Sequence, residues 1–152
     1  MPWLVLAACG SHPPPAATAP PSAPKVVTLA ILPAESDAFP TAAKAATDSL
    51  SQAKVSGVDR TQVSSVSLEV VQLSIECVEA STACYQVVGR TLGANFLLFA
   101  QIAPGPKKKQ LHVTVSLFDV ELAAPPRTAE ADFTTEKEAT SKIGDLVMEV
   151  TK

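Results

Sequence analysis

The stretch Asn95 to Val120 reads NFLLFAQIAPGPKKKQLHVTVSLFDV, and its parsing decides the fold. Asn95 to Ile102 is almost continuously apolar, the mark of a strand buried on both faces. Pro104 to Gln110, PGPKKKQ, has the proline and glycine punctuation of a turn. Leu111 to Val120 then alternates: Leu111, Val113, Val115 and Leu117 point one way, His112, Thr114 and Ser116 the other. Two strands joined by a short turn form an antiparallel pair. A second turn through AAPP (Ala123 to Pro126) leads into a third strand, Arg127 to Phe133. Thr135 and Glu138 then have the spacing of a capping box, opening a helix that buries Ala139, Ile143, Leu146, Val147 and Val150.

Upstream, KVVTLAILP (Lys25 to Pro33) is a β-branched run stopped by proline and predicts a central strand covered on both faces. Phe39, Ala43, Ala46, Leu50 and Ala53 follow at helical spacing, a mostly alanine stripe that permits close approach to a sheet. Lys54 to Ser65 carries Gly, Asp and Ser and supports at most a short strand. Val66 to Cys77 fits both periods, partial alternation and a helical Val66, Val70, Leu73, Cys77 series; a helix is the preferred reading. Thr82 to Leu92 predicts a further helix with Tyr85, Val88 and Leu92 on one face and Gly93 at its end. The expected fold is α/β (α+β), a mixed β-sheet with helices packed on it, in one domain spanning 25–152.

Three cysteines are present, Cys9, Cys77 and Cys84. One modified residue plus one disulfide accounts for all three. On one continuous helix Cys77 and Cys84 would lie roughly 10 Å apart, beyond disulfide reach, so a bridge needs a break between them. VEAST (Val78 to Thr82) offers it, with Ser81 or Thr82 able to cap a new helix. Two reduced core cysteines are the alternative for a chain kept in a reducing compartment.

Residues 1–8 are apolar but far shorter than the roughly 20 residues that span a membrane. Leu6, Ala7 and Ala8 followed by Cys9 resemble the bacterial lipoprotein box, which implies a truncated signal segment over 1–8 and lipidation at Cys9. No Lys or Arg precedes the box, which suggests a start codon further upstream. Ser11, rather than Asp, stands second after the cysteine and resembles the sorting pattern for the outer membrane, periplasmic face, of a Gram-negative-type bacterium. From Gly10 to Pro24 the chain is nearly all Pro, Ala, Ser and Thr, which buries too little apolar surface to order. Residues 9–24 are therefore expected to form a Pro-rich disordered tether with a reach of up to about 45 Å.

The segments VVTLAILPAESDAFPTAAKAATDSL, GVDRTQV, CYQVVGRTLGANFLLFAQI and VTVSLFDVELA together resemble the amino-terminal domain of TolB and its relatives among envelope lipoproteins, including the LpoB-like proteins. A strand ending near Pro, a helix reaching Leu, a short "vDR" segment, a "lGAd" turn and a hairpin carry the likeness across most of the folded region. The resemblance implies a TolB amino-terminal-like domain and a habit of binding other envelope proteins. LpoB-like proteins activate a peptidoglycan synthase on a long disordered linker, and the tether here is shorter.

Polar chemistry is sparse. The only histidines are His12, in the tether, and His112, on the polar side of a strand, where a solvated role is the usual one. No G-x-S-x-G elbow and no phosphate-cradling loop occurs, since GRTLG lacks the lysine and spacing. Cys77, Cys84 and His112 lack metal-ligand spacing, so neither metal nor cofactor is expected. Glu69, Glu76 and Glu79 read as exposed carboxylates, and seven aromatic residues do not suggest a sugar-stacking groove. A net charge of −3 excludes the basic field that nucleic-acid binding requires. Lys107, Lys108 and Lys109 are the one dense charge cluster: a solvated hairpin tip, or an anion-contacting loop meeting lipid head groups or acidic wall polymer. The expected function is non-enzymatic: a protein-binding adaptor or regulator of an envelope complex, such as one of cell-wall synthesis or transport. Its partners would be an envelope protein and, through Cys9, the membrane. A periplasmic small-ligand-binding module is the alternative.

Overall fold

The computed structural model describes residues 23–77 and 79–152. The predicted signal segment, Cys9, His12 and the tether through residue 22 lie outside the described residues. In chain order the elements are β1 (Thr28–Ile31), α1 (Pro40–Ser51), β2 (Arg60–Val63), α2 (Leu68–Ser74), α3 (Thr82–Thr91), β3 (Phe96–Pro104), β4 (Leu111–Asp119), β5 (Arg127–Phe133) and α4 (Glu136–Thr151). The five strands form one sheet in the order β2-β1-β3-β4-β5. Strand β1 runs parallel to both β2 and β3, whereas β3–β4 and β4–β5 are antiparallel. It is a mixed sheet with helices on both faces.

The period-2 geometry of the strands divides the core in two. Leu29, Ile31, Leu98, Val113, Val115 and Leu117 face α1 and α4, and the alternate residues Ala30, Leu32, Leu97, Phe99 and Phe118 face α2 and α3. A strand that must contribute to both layers has to be apolar throughout, which is why β1 and the first half of β3 read as continuous hydrophobic runs. Ala42, Ala43 and Ala46 let α1 lie close to the sheet. Its N-cap, Phe39, has no side chain able to bond the first turn, so Glu136 of α4 does so instead, Oε1 accepting from the Ala42 N–H at 2.9 Å. Tyr85 packs at 5.2 Å from Phe99 and 5.5 Å from Phe118, an aromatic trio that anchors α3.

The expected strand Lys25 to Pro33 has a shorter ladder, although Leu32 N–H still bonds Leu98 C=O at 3.0 Å. The helix expected over Val66 to Cys77 is confined to Leu68–Ser74 and ends where Glu76 takes a left-handed φ of 56°. Its buried residues are Leu68, Val71 and Gln72, while the Val66, Val70, Leu73 series that suggested a helix faces solvent. The short strand expected within 54–65 is β2, an exposed edge of four residues.

Candidate functional site

Cys77 and Cys84 are joined by a disulfide with Cα atoms 5.6 Å apart. The distance is reached because the chain turns between α2 and α3: Ser81 adopts extended backbone and its Oγ accepts from the Cys84 N–H at 3.2 Å, capping α3. Cys84 is buried and Cys77 half-buried. Around them Glu76, Glu79, Ser81, Ala83 and Val87 line a shallow surface pocket of about 370 Å³. Burial, and then the nearby Glu69 carboxylate, raise the Tyr85 phenol above its ordinary range, so this part of the α2–α3 layer carries no phenolate near neutrality.

Lys107, Lys108 and Lys109 form the exposed tip of the β3–β4 hairpin. Gly105 N–H to Gln110 C=O at 2.8 Å and Gln110 N–H to Lys107 C=O at 3.0 Å close the turn, and Lys109 has φ 69°. No acidic side chain pairs with the three lysines among the described residues. The cluster stands at the end of the sheet opposite the start of β1, because β3 runs parallel to β1 and carries the tip at its far end.

His112 has a more defined setting than a solvated strand position. Register pairs it directly with Asp132, whose Oδ1 is 2.8 Å from Nδ1, and Glu130 Oε2 lies 3.6 Å from Nε2. The three side chains occupy the half of the sheet face that α2 and α3 leave uncovered, beside Thr114 and Gln101. They form a cross-strand set of one imidazole between two carboxylates. His112 has carboxylates on both sides, and among the described residues no hydroxyl or thiol is hydrogen-bonded to it. Glu130 and Asp132 were not singled out by the sequence, since their contact depends on the β4–β5 register. The turn that sets it is held by Asp119, whose Oδ1 accepts from Glu121 N–H at 2.9 Å and Leu122 N–H at 3.0 Å.

No three-residue cluster of His, Cys, Asp or Glu suited to a metal ion is found among the described residues. Their interior is filled by the two apolar clusters. A groove of about 510 Å³ runs along the surface between α1 and α4, bordered by Ser49, Gln52, Gly144 and Met148, and it is broad and open rather than a closed chamber. Among the described residues, neither sheet edge, β2 or β5, has a strand on its outer side. None of the described helices is long and apolar enough to cross a membrane.

No protein-family model matches the chain, and no curated protein matches it. Among solved structures it is similar to the LpoB C-terminal domain from Salmonella enterica, at 13% identity and TM-score 0.44 over 72% of this chain and 83% of that one. It is also similar to a lipoprotein from Neisseria meningitidis, at 11% identity and TM-score 0.45 over 82% of this chain and 97% of that one. The similarity to TolB from Acinetobacter baumannii, at 13% identity and TM-score 0.39, covers 83% of this chain but 28% of TolB.

Proposed function

We propose that this chain is an envelope lipoprotein, lipidated at Cys9 and tethered by residues 10–24, whose folded domain binds another envelope protein and performs no catalysis. Its place is the outer membrane, on the periplasmic side. Support for the compartment comes from the placement of Cys9 directly after Leu6, Ala7 and Ala8, together with a Cys77–Cys84 disulfide, which persists in oxidising surroundings. The observation that carries the binding role is the sheet itself: among the described residues its edges β2 and β5 have no outer neighbour and are open for strand addition, while the polar grouping around His112 is an imidazole set between two carboxylates. The resemblance to LpoB-like and TolB amino-terminal domains accords with this reading.

In-cell crosslinking followed by mass spectrometry, beside a Cys9→Ala control, tests it. The expected result is a recurrent envelope protein recovered with the lipidated chain and lost from the control. Recovery of nothing above background, or unchanged recovery with Cys9→Ala, would count against the tethered adaptor. The lysine tip is assigned to contact with an acidic polymer or lipid surface only if replacing all three lysines by glutamine weakens sedimentation with that material.

A further inference from the structure

Helix α2 has an apolar residue on nearly every side. Leu68 and Val71 enter the core, while Val66, Val70 and Leu73 are 38%, 42% and 66% exposed. Val70 and Leu73 are three apart and share the outer face of the helix, with Val66 just before its N-cap. Across the disulfide, Val87 of α3 is 44% exposed and borders the pocket that Glu76 and Glu79 also line. Scattered exposed valines are ordinary, but Val70 and Leu73 are both exposed on one short helix, with the exposed Glu69 one turn before Leu73.

The charge on α2 and the turn that follows it is acidic. Residues 61–89 contain three glutamates, Glu69, Glu76 and Glu79, and the cations that flank them in sequence are Arg60 at the start of β2 and Arg90 in the last turn of α3. All three are exposed, and none pairs with a cation among the described residues. A symmetric pairing with a second copy would set these carboxylates against their own images, and an anionic leaflet would repel them. A positively charged apolar segment is attracted by the glutamates and can bury its side chains on Val70 and Leu73.

We infer that the outer face of α2 with the adjoining end of α3 is a docking surface for an amphipathic helix of a partner protein, with apolar anchors flanked by lysine or arginine. This rests on the protein-binding reading and gives the partner a chemistry. Docking there leaves the edges β2 and β5 unused. The disulfide serves it by holding the short helix in place beneath the partner.

The test selects binders to the immobilised full chain from a display library of helical peptides with leucines at i, i+3 and i+7 and all other positions random. The expected outcome is enrichment of lysine and arginine beside the leucines, with affinity reduced at least about tenfold by Leu73→Glu and again by Val70→Glu. Both substitutions are on exposed positions, and unchanged thermal midpoints show that the variants fold. No selection, neutral or acidic binders, or binders indifferent to both substitutions would overturn the inference. So would a dimer seen by sedimentation and dispersed by Leu73→Glu, which would assign the face to a second copy. An in-cell partner that survives Leu73→Glu removes this surface and keeps the adaptor role, whereas the absence of any partner removes the adaptor role itself.

Discussion

Gly89 is where α3 presses on the residue that follows β4: a Cβ there would be driven into the Val120 isopropyl group. Gly89→Ala is therefore expected to lower stability by roughly 1–3 kcal/mol through overpacking, against the usual gain from alanine in a helix. Trimming the obstacle with Val120→Ala in the same chain recovers part of the loss, and a denaturant-unfolding cycle over the four proteins checks it; strict additivity would exclude the contact as the cause. At the start of α4, Glu138 N–H bonds Thr135 Oγ1 at 3.2 Å as the capping-box spacing predicts. The glutamate side chain reaches one residue further back than the motif requires, accepting from both the hydroxyl and the N–H of Thr134. Those hydrogen bonds, the Thr134 hydroxyl first, hold the Glu138 carboxyl below its usual range. A lowered folded value means that the contribution is fully present above the ordinary glutamate range and fades as pH falls through the folded value. Wild type is thus expected to exceed Glu138→Gln in urea midpoint at neutral pH, with the gap closing on acidification; a gap independent of pH would show that the carboxylate is not its source.

Among the elements, α2 depends most on its surroundings. Seven residues do not sustain a helix in water, so its stability derives from packing through Leu68 and Val71 and from the covalent link just beyond its end. Replacing Cys77 and Cys84 together by serine is expected to cost roughly 2–3 kcal/mol in the chain-entropy account of a loop this short. Hydrogen exchange should show the loss first as faster exchange at the amides of α2, while β3 and β4 retain protection; uniform acceleration across the sheet would contradict a local role for the bridge. The same element was the hardest to parse from sequence. Val66, Leu68, Val70, Val71, Leu73 and Ile75 are apolar on both sides of the helix, so periodicity cannot say which side enters the core. Alternation does give the orientation of β4, with Leu111, Val113, Val115 and Leu117 in the α1–α4 core, although the face of His112, Thr114 and Ser116 is itself covered from Ser116 onward; the α4 stripe from Ala139 to Val150 is the buried one. The candidate surfaces were less legible. His112 meets Asp132 and Glu130 only through a hairpin register set by the turn at Asp119, and the α2–α3 surface is a property of two elements that the disulfide brings together.

At the scale of the whole molecule, one sheet couples two separate cores. Phe118 lies fully buried beneath α3, while its neighbour Leu117 faces the α1–α4 layer. Phe118→Ala is expected to cost about 3–5 kcal/mol and to leave unfolding cooperative, because both layers share β3 and β4. Two separated thermal transitions in calorimetry would show instead that the layers are independent. The order in which these layers can be completed follows from Glu136, which caps α1 from a position 94 residues further along the chain. Strand β1 likewise finds its β3 neighbour only after α1, β2, α2 and α3 have been made. The first elements synthesised thus have no finished environment until the last helix is available, and such long-range closure delays folding relative to synthesis. The late arrival of α4 acts as a timer: until Glu136 is in place, the first turn of α1 lacks its hydrogen-bond acceptor and the layer it belongs to stays unfinished.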